Sequence, residues 1–352
     1  MAIDRRYFLG AAAGTLCNSL LQAQPSAPEP LPIPKLEPGQ KLRVVYAHNP
    51  RFDRPSSDLL VQILLRTQAL CAAHLGLDVQ FNAVQEQPIA SLFRGISEAR
   101  WNDLKRFTYD AKNGTGKRIW LVKELQKVLA ANLSGLEAQM NFAKPYLVSG
   151  ITPTDTASLA EALIDTQLAR FAQWQAIQGS DGRPLIGEGV YHEYFAWLFA
   201  PRLASWLCEV VITNQLMASV EYLENSLHSA LRGGVSNGLT VPSPNSRYGT
   251  VSILSLFPFT SQEPLTRQLR GDEPIKKTNT VEAAAFMLTH ELGHQLRHLG
   301  HPFGSKKCIM NPPELLQFDA WMHGLNASQC PVGNSPENTP GVAKFPTFKP
   351  PP

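Results

Sequence analysis

The chain has 352 residues, 43% hydrophobic and 17% charged, a globular composition with length for one large domain or two modest ones. A formal net charge of +3 is small for that length, and there is no lysine/arginine block or RNA-binding signature. Composition therefore gives no electrostatic basis for a nucleic-acid partner.

Residues 1–23 read as an export signal peptide. Arg5 and Arg6 are followed by Tyr7, Phe8 and Leu9, and then by the short apolar stretch Ala11 to Leu16. That stretch is too short to span a bilayer. The order of arginine pair, aromatic, leucine and apolar run resembles a bacterial twin-arginine signal, which implies a periplasmic or secreted protein. Residues 24–40 carry prolines at 25, 28, 30, 32, 34 and 38 and read as an extended linker. In an oxidising compartment Cys71, Cys208, Cys308 and Cys330 permit two disulfides. The expected pairing is Cys308 with Cys330 and Cys71 with Cys208, against four buried thiols.

Residues 41–230 form a mixed, mainly helical region. A strand is expected over 41–47, a helix over 57–75 and a second strand over 78–84. A further helix is expected over 155–178, capped by Thr154 or Asp155. The apolar run 191–231 is interrupted by Arg202, Glu209 and Glu221, and Pro201 breaks or kinks it. It reads as buried core helices, with no membrane span. His192 and Glu193 have no second histidine at ligand spacing and read as structural. Residues 231–330 form the second region. Gly233 to Arg247 is turn-rich, Thr250 to Phe257 alternates as a strand with one buried face, and Ser261 to Asn279 is a polar loop. Residues 331–352 are a proline-rich, aperiodic tail.

The chemistry concentrates between these loops. Asn279 is expected to cap a helix, with Glu282 returning the bond. At 100° per residue, Val281, Ala285, Leu288, Leu292, Leu296 and Leu299 fall on one face, and His290 and His294 fall opposite. Two imidazoles one turn apart, about 6 Å along the axis, reach one zinc ion at about 2.0 to 2.1 Å each. Glu291 stands beside them as the general base that takes a proton from water and passes it to the leaving amine.

The segment His290-Glu-Leu-Gly-His294-Gln-Leu-Arg-His-Leu-Gly-His301, followed by Cys308-Ile309-Met310-Asn311-Pro312, resembles the metzincin metallopeptidases, nearest the matrixin and archaemetzincin branches. Their pattern is His-Glu-x-x-His-x-x-Gly-x-x-His and a methionine turn. The resemblance implies His301 as third metal ligand and Met310 as the methionine beneath the metal. It departs from the pattern in two places. Arg297 occupies the glycine position and His301 comes one residue late, so Gly300 is the expected left-handed helix end.

Two rivals for the third ligand stay open. His298 lies eight residues from His290, about 12 Å along a continued helix. Glu314 would give a His-His-Glu site. Asp319 and His323 are candidates for holding an imidazole tautomer. If the resemblance holds, Thr250 to Phe257 would border the cleft and receive an extended peptide; an interior strand without substrate contact is the equal alternative. Asn311 follows the methionine where some relatives carry tyrosine, so no oxyanion group is assigned.

The expected fold is α+β, a zincin-like metallopeptidase domain with a helical N-terminal and middle region and a small mixed sheet beside the active-site helix. The expected function is an exported zinc-dependent metallopeptidase acting on a peptide or protein substrate through a metal-activated water. The alternatives are a non-catalytic exported zinc-binding protein and a zinc hydrolase of non-peptide amides.

Overall fold

The computed structural model describes residues 35–37, 39–105, 115–131, 136–143, 147, 152–178, 182, 184, 191–192, 194–223, 226–231, 234–236, 243, 245–271, 277–302, 307–313, 316–329 and 342–344. The expected export signal therefore lies outside the described residues.

In chain order the first elements are β1 (Lys41–Leu42), β2 (Val44–His48), α1 (Ser57–Leu75), β3 (Gln80–Phe81), β4 (Gln85–Pro88), α2 (Ile89–Leu92) and α3 (Glu98–Lys105). Next come α4 (Thr115–Ala131), α5 (Leu136–Ala143), α6 (Thr156–Gln175), α7 (Tyr194–Leu203), β5 (Val210–Thr213), β6 (Ala218–Leu223), β7 (Ser226–Leu231) and β8 (Gly234–Ser236). The last elements are β9 (Ser252–Ser255), α8 (Phe257–Thr260), α9 (Pro264–Leu269), α10 (Lys277–Arg297), β10 (Leu299–Pro302), α11 (Phe318–Gly324) and β11 (Val342–Lys344).

The fold is mixed α/β. Its main sheet has the order β4-β2-β5-β9-β8, with the first four strands parallel and β8 antiparallel to β9. Val210-Val211-Ile212-Thr213 is buried throughout, as a central strand covered on both faces must be. The pleat sorts its side chains. Val44, Tyr46, Val210, Ile212 and Leu254 join the core shared with α1 and α10. Val45, Ala47, Val211 and Ile253 enter the opposite core with Phe93, Trp197 and Trp206. Both sequence regions thus supply strands to one sheet.

Several local expectations are met. α1 spans residues 57–75, with Ser56 Oγ accepting from Leu59 N and Gly76 ending the helix at φ 61°. Asp155 Oδ1 accepts from Ser158 N at 2.7 Å at the start of α6, so Asp155 is the cap.

Others are corrected. Among its described residues the run 191–231 is helical only as α7. After it the β-branched residues pair as β5, and β6 and β7 form an antiparallel hairpin. α10 begins at Lys277, so Asn279 lies inside the helix and is not its cap; Glu282 is taken up instead by Arg66 of α1 at 2.9 Å. The polar stretch 261–279 contains α9 and the first turn of α10. Part of the tail is not aperiodic, because β11 pairs antiparallel with β10.

The Cys71–Cys208 pairing does not form. Both are free and buried, and they lie in the cores on opposite faces of the sheet. Burial pushes each thiol up to about 12. Cys330 lies outside the described residues. Among the described residues no helix is long and apolar enough to cross a membrane.

Candidate metal centre

α10 is not a half-exposed amphipathic helix. Residues 283–296 are buried on every side, including His290, Glu291 and His294. Away from the sheet, α1 packs along α10, and the chain returning after the helix meets the imidazoles at Leu299 and Ile309. α10 ends at Arg297, and His298 takes φ 52°. The left-handed residue is therefore His298 and not Gly300, one position after Arg297. The chain then turns back as β10, which carries His301.

Two backbone carbonyls from this returning chain hold the imidazoles. His290 Nδ1 bonds the Ile309 carbonyl at 2.8 Å, and His294 Nδ1 bonds the Leu299 carbonyl. A carbonyl only accepts, so each Nδ1 carries the proton and each neutral ring offers its Nε2 lone pair. The two Nε2 atoms lie 3.0 Å apart, with the ring planes at 90°. Facing lone pairs at that separation repel unless a cation lies between them. Zinc bound tetrahedrally at 2.0 to 2.1 Å sets two nitrogens about 3.3 Å apart. The spacing of the two nitrogens is close to that of two zinc ligands, and among the described residues no third His, Cys, Asp or Glu joins them.

Ile309 belongs to a turn closed by Asn311 N donating to the Cys308 carbonyl at 2.9 Å. Met310, the next residue in that turn, is fully buried. It lies against Gly293, where an added Cβ would stand 2.3 Å from Met310 Sδ and 3.1 Å from its Cε. The glycine inside the His-Glu-x-x-His helix is thus what admits the methionine. Trp321 donates through Nε1 to the Asn311 carbonyl at 2.6 Å and stands edge-on to His290, with ring centroids 6.4 Å apart.

Gly293→Ala should therefore destabilise the protein despite the better helix former. Overpacking costs about 1–3 kcal/mol, against a helix gain of about 0.5–1 kcal/mol. A lowered urea midpoint checks this, and an unchanged or raised midpoint would contradict it.

Burial dominates the titration of the pair. His290 is pushed down to about 3, by burial first and then by His294, with the Ile309 carbonyl opposing. His294 is lowered to about 4 by burial, with the Leu299 carbonyl opposing. His192, away from this site, is also lowered to about 4 by burial. A histidine whose folded value lies below its unfolded value of about 6.5 stabilises the fold fully above that pH. The contribution is lost as pH falls toward the folded value, at up to about 1.4 kcal/mol per unit per group. Chelator-treated protein should accordingly hold a flat urea midpoint above about pH 7 and lose stability steadily from about pH 6 to 4.5. A flat midpoint across the lower range would refute it.

The remaining candidates separate. Among the described residues no three His, Cys, Asp or Glu side chains form a metal-binding group. His298 is described and buried, so it does not complete such a group with His290 and His294. The side chain of His301 and all of Glu314 lie outside the described residues. Asp319 Oδ1 meets Asn279 Nδ2 at 3.4 Å, and His323 Nδ1 bonds the Asp319 carbonyl of its own helix at 2.8 Å. Neither holds an imidazole tautomer; the Ile309 and Leu299 carbonyls do that. Backbone carbonyls carry no side-chain signature, so sequence reasoning could not name them. It also missed Gln295, which is fully buried. Its signal was a polar residue on the sheet-facing side of a buried helix.

No family model, no curated protein and no solved structure matches this chain.

Proposed function

We propose that the protein is an exported, zincin-like zinc metallopeptidase, with His290, His294 and His301 as ligands and Glu291 as general base. The observation that carries this reading is the geometry of the imidazole pair. Two Nδ1–H groups are tied to carbonyls and two Nε2 lone pairs meet at 3.0 Å. A hydrogen-bonded Nδ1 opposite a ligating Nε2 is the usual setting of a metal-bound histidine. The buried methionine turn against Gly293 is a second, independent support. For the third ligand, the support is the strand that carries His301, whose first residue also bonds His294. When bound, zinc supplies Lewis acidity to the scissile carbonyl.

The chain's own groups do the rest. Glu291, buried next to His290, takes a proton from the attacking water and returns it to the leaving nitrogen. The Leu299 and Ile309 carbonyls keep both imidazoles in the Nδ1–H tautomer. The strand over residues 252–255 is interior, between β5 and β8, which matches the second of the two readings and leaves it no free edge for a peptide. Among the described residues the edge on that side is β8, antiparallel to β9, with α10 packed against both. An extended peptide would add along β8.

The near-complete burial of Glu291 favours one alternative, a closed structural zinc site without turnover. Metal analysis of the wild type combined with a protein-substrate assay separates the two. One zinc per chain with chelator-sensitive hydrolysis supports the peptidase. One zinc per chain with no hydrolysis supports the structural site, and no zinc sinks both.

A further inference from the structure

The sheet-facing side of α10 is mostly apolar, with Leu288, Leu292 and Leu296 buried in the core. Such contacts are non-directional and tolerate slip and rotation of a helix. Gln295 does not. It is fully buried, about 100° round the helix from His294 and about 140° from His290. Its Nε2 donates to the Glu209 carbonyl at 3.0 Å and to the Thr250 carbonyl at 2.9 Å. Its Oε1 accepts from Ser252 Oγ at 2.8 Å. One amide thus spans the starts of β5 and β9.

That anchorage is itself fixed. The Glu209 carbonyl also accepts from Ser252 N at 2.9 Å. The Glu209 carboxylate is fully buried and grips the guanidinium of Arg43, whose backbone N–H adds a bond of 2.8 Å. Arg247 N reaches the same carboxylate at 3.3 Å. A truncated partner here would leave buried charge and carbonyls unsatisfied, so the network has one low-energy arrangement.

Resting on the metallopeptidase reading above, we infer that Gln295 is a positioning residue for the metal-binding imidazoles. Its bonds to β5 and β9 set the rotation and depth of α10 one residue from His294. The carbonyls on the far side of the helix then meet both Nδ1 atoms, and the two Nε2 atoms converge.

The test compares Gln295→Met, which keeps the volume and removes the three bonds, with Leu288→Ala, which weakens the same helix face and leaves the amide in place. Zinc affinity is read by chelator competition, and ligand geometry by the visible spectrum of the cobalt-substituted protein, both well below each variant's melting temperature. Gln295→Met should bind zinc about 10–100-fold more weakly and shift the cobalt bands. Leu288→Ala should keep wild-type affinity and spectrum at a comparably lowered melting temperature. If Gln295→Met fails to fold, Gln295→Glu serves in its place, keeping the acceptor for Ser252 and facing a carboxylate to the two carbonyls. Wild-type zinc affinity and an unchanged cobalt spectrum in the folded variant would overturn the inference. So would equal losses in Leu288→Ala. A wild-type protein that takes up no zinc overturns instead the metallopeptidase reading on which the inference rests.

Discussion

Glu291→Gln should abolish peptide hydrolysis and leave zinc bound. The substitution keeps the size and planarity of the side chain and removes only its basicity. Proton transfer by a positioned side chain contributes about 10²–10⁴-fold to rate, so a loss in kcat of that size is expected. The buried setting makes the substitution mild for the fold, because Glu291 is almost without solvent contact and an amide is cheaper to bury than a carboxylate. Metal content by atomic absorption, paired with hydrolysis of a protein substrate, checks the prediction. Full activity with zinc retained would remove Glu291 from the chemistry.

His301→Ala should lose stoichiometric zinc. A site left with His290 and His294 has two protein ligands where zinc sites use three or four. Outer-shell changes cost about 10–100-fold in metal affinity, and loss of a ligand should exceed that range. The backbone gives a reason for this residue in particular. Arg297 cannot supply the glycine of the metzincin pattern, and the chain makes its left-handed bend one residue later, at His298. The candidate ligand is late by the same one residue. In the family pattern the third histidine follows the glycine by three positions, and His301 follows His298 by three. Chelator competition on wild type, His301→Ala and His298→Ala resolves the assignment. Wild-type affinity in His301→Ala would exclude it, and His298→Ala should retain the metal.

Several features were legible in the residues themselves. The helix 57–75 was bounded by Ser56 and Gly76, residues whose local chemistry makes caps. The His290 and His294 spacing required only helical geometry, and the pair does converge. Met310 was marked by its resemblance to a methionine turn, and the turn does lie against the helix at Gly293. What failed depended on partners distant in sequence. Asn279 and Glu282 make a good local cap, but Arg66, more than two hundred residues earlier, takes the glutamate. The run 191–231 looks helical by hydrophobicity, yet Val210–Thr213 pairs with β2 and β9, and β6 and β7 after it pair with each other. Cys71, Cys208, Cys308 and Cys330 offered an even count for disulfides, yet the sheet stands between Cys71 and Cys208.

The division has a physical basis. By itself the amino-acid sequence determined that a helix would carry two histidines one turn apart with a glutamate beside them, because periodicity and spacing are local properties. Only the tertiary structure decided that this helix is buried on all sides, that the Leu299 and Ile309 carbonyls set the tautomers, and that Gln295 ties it to the sheet. Those are hydrogen bonds and burial between segments far apart in the chain, and no local pattern encodes which carbonyl a buried N–H will find.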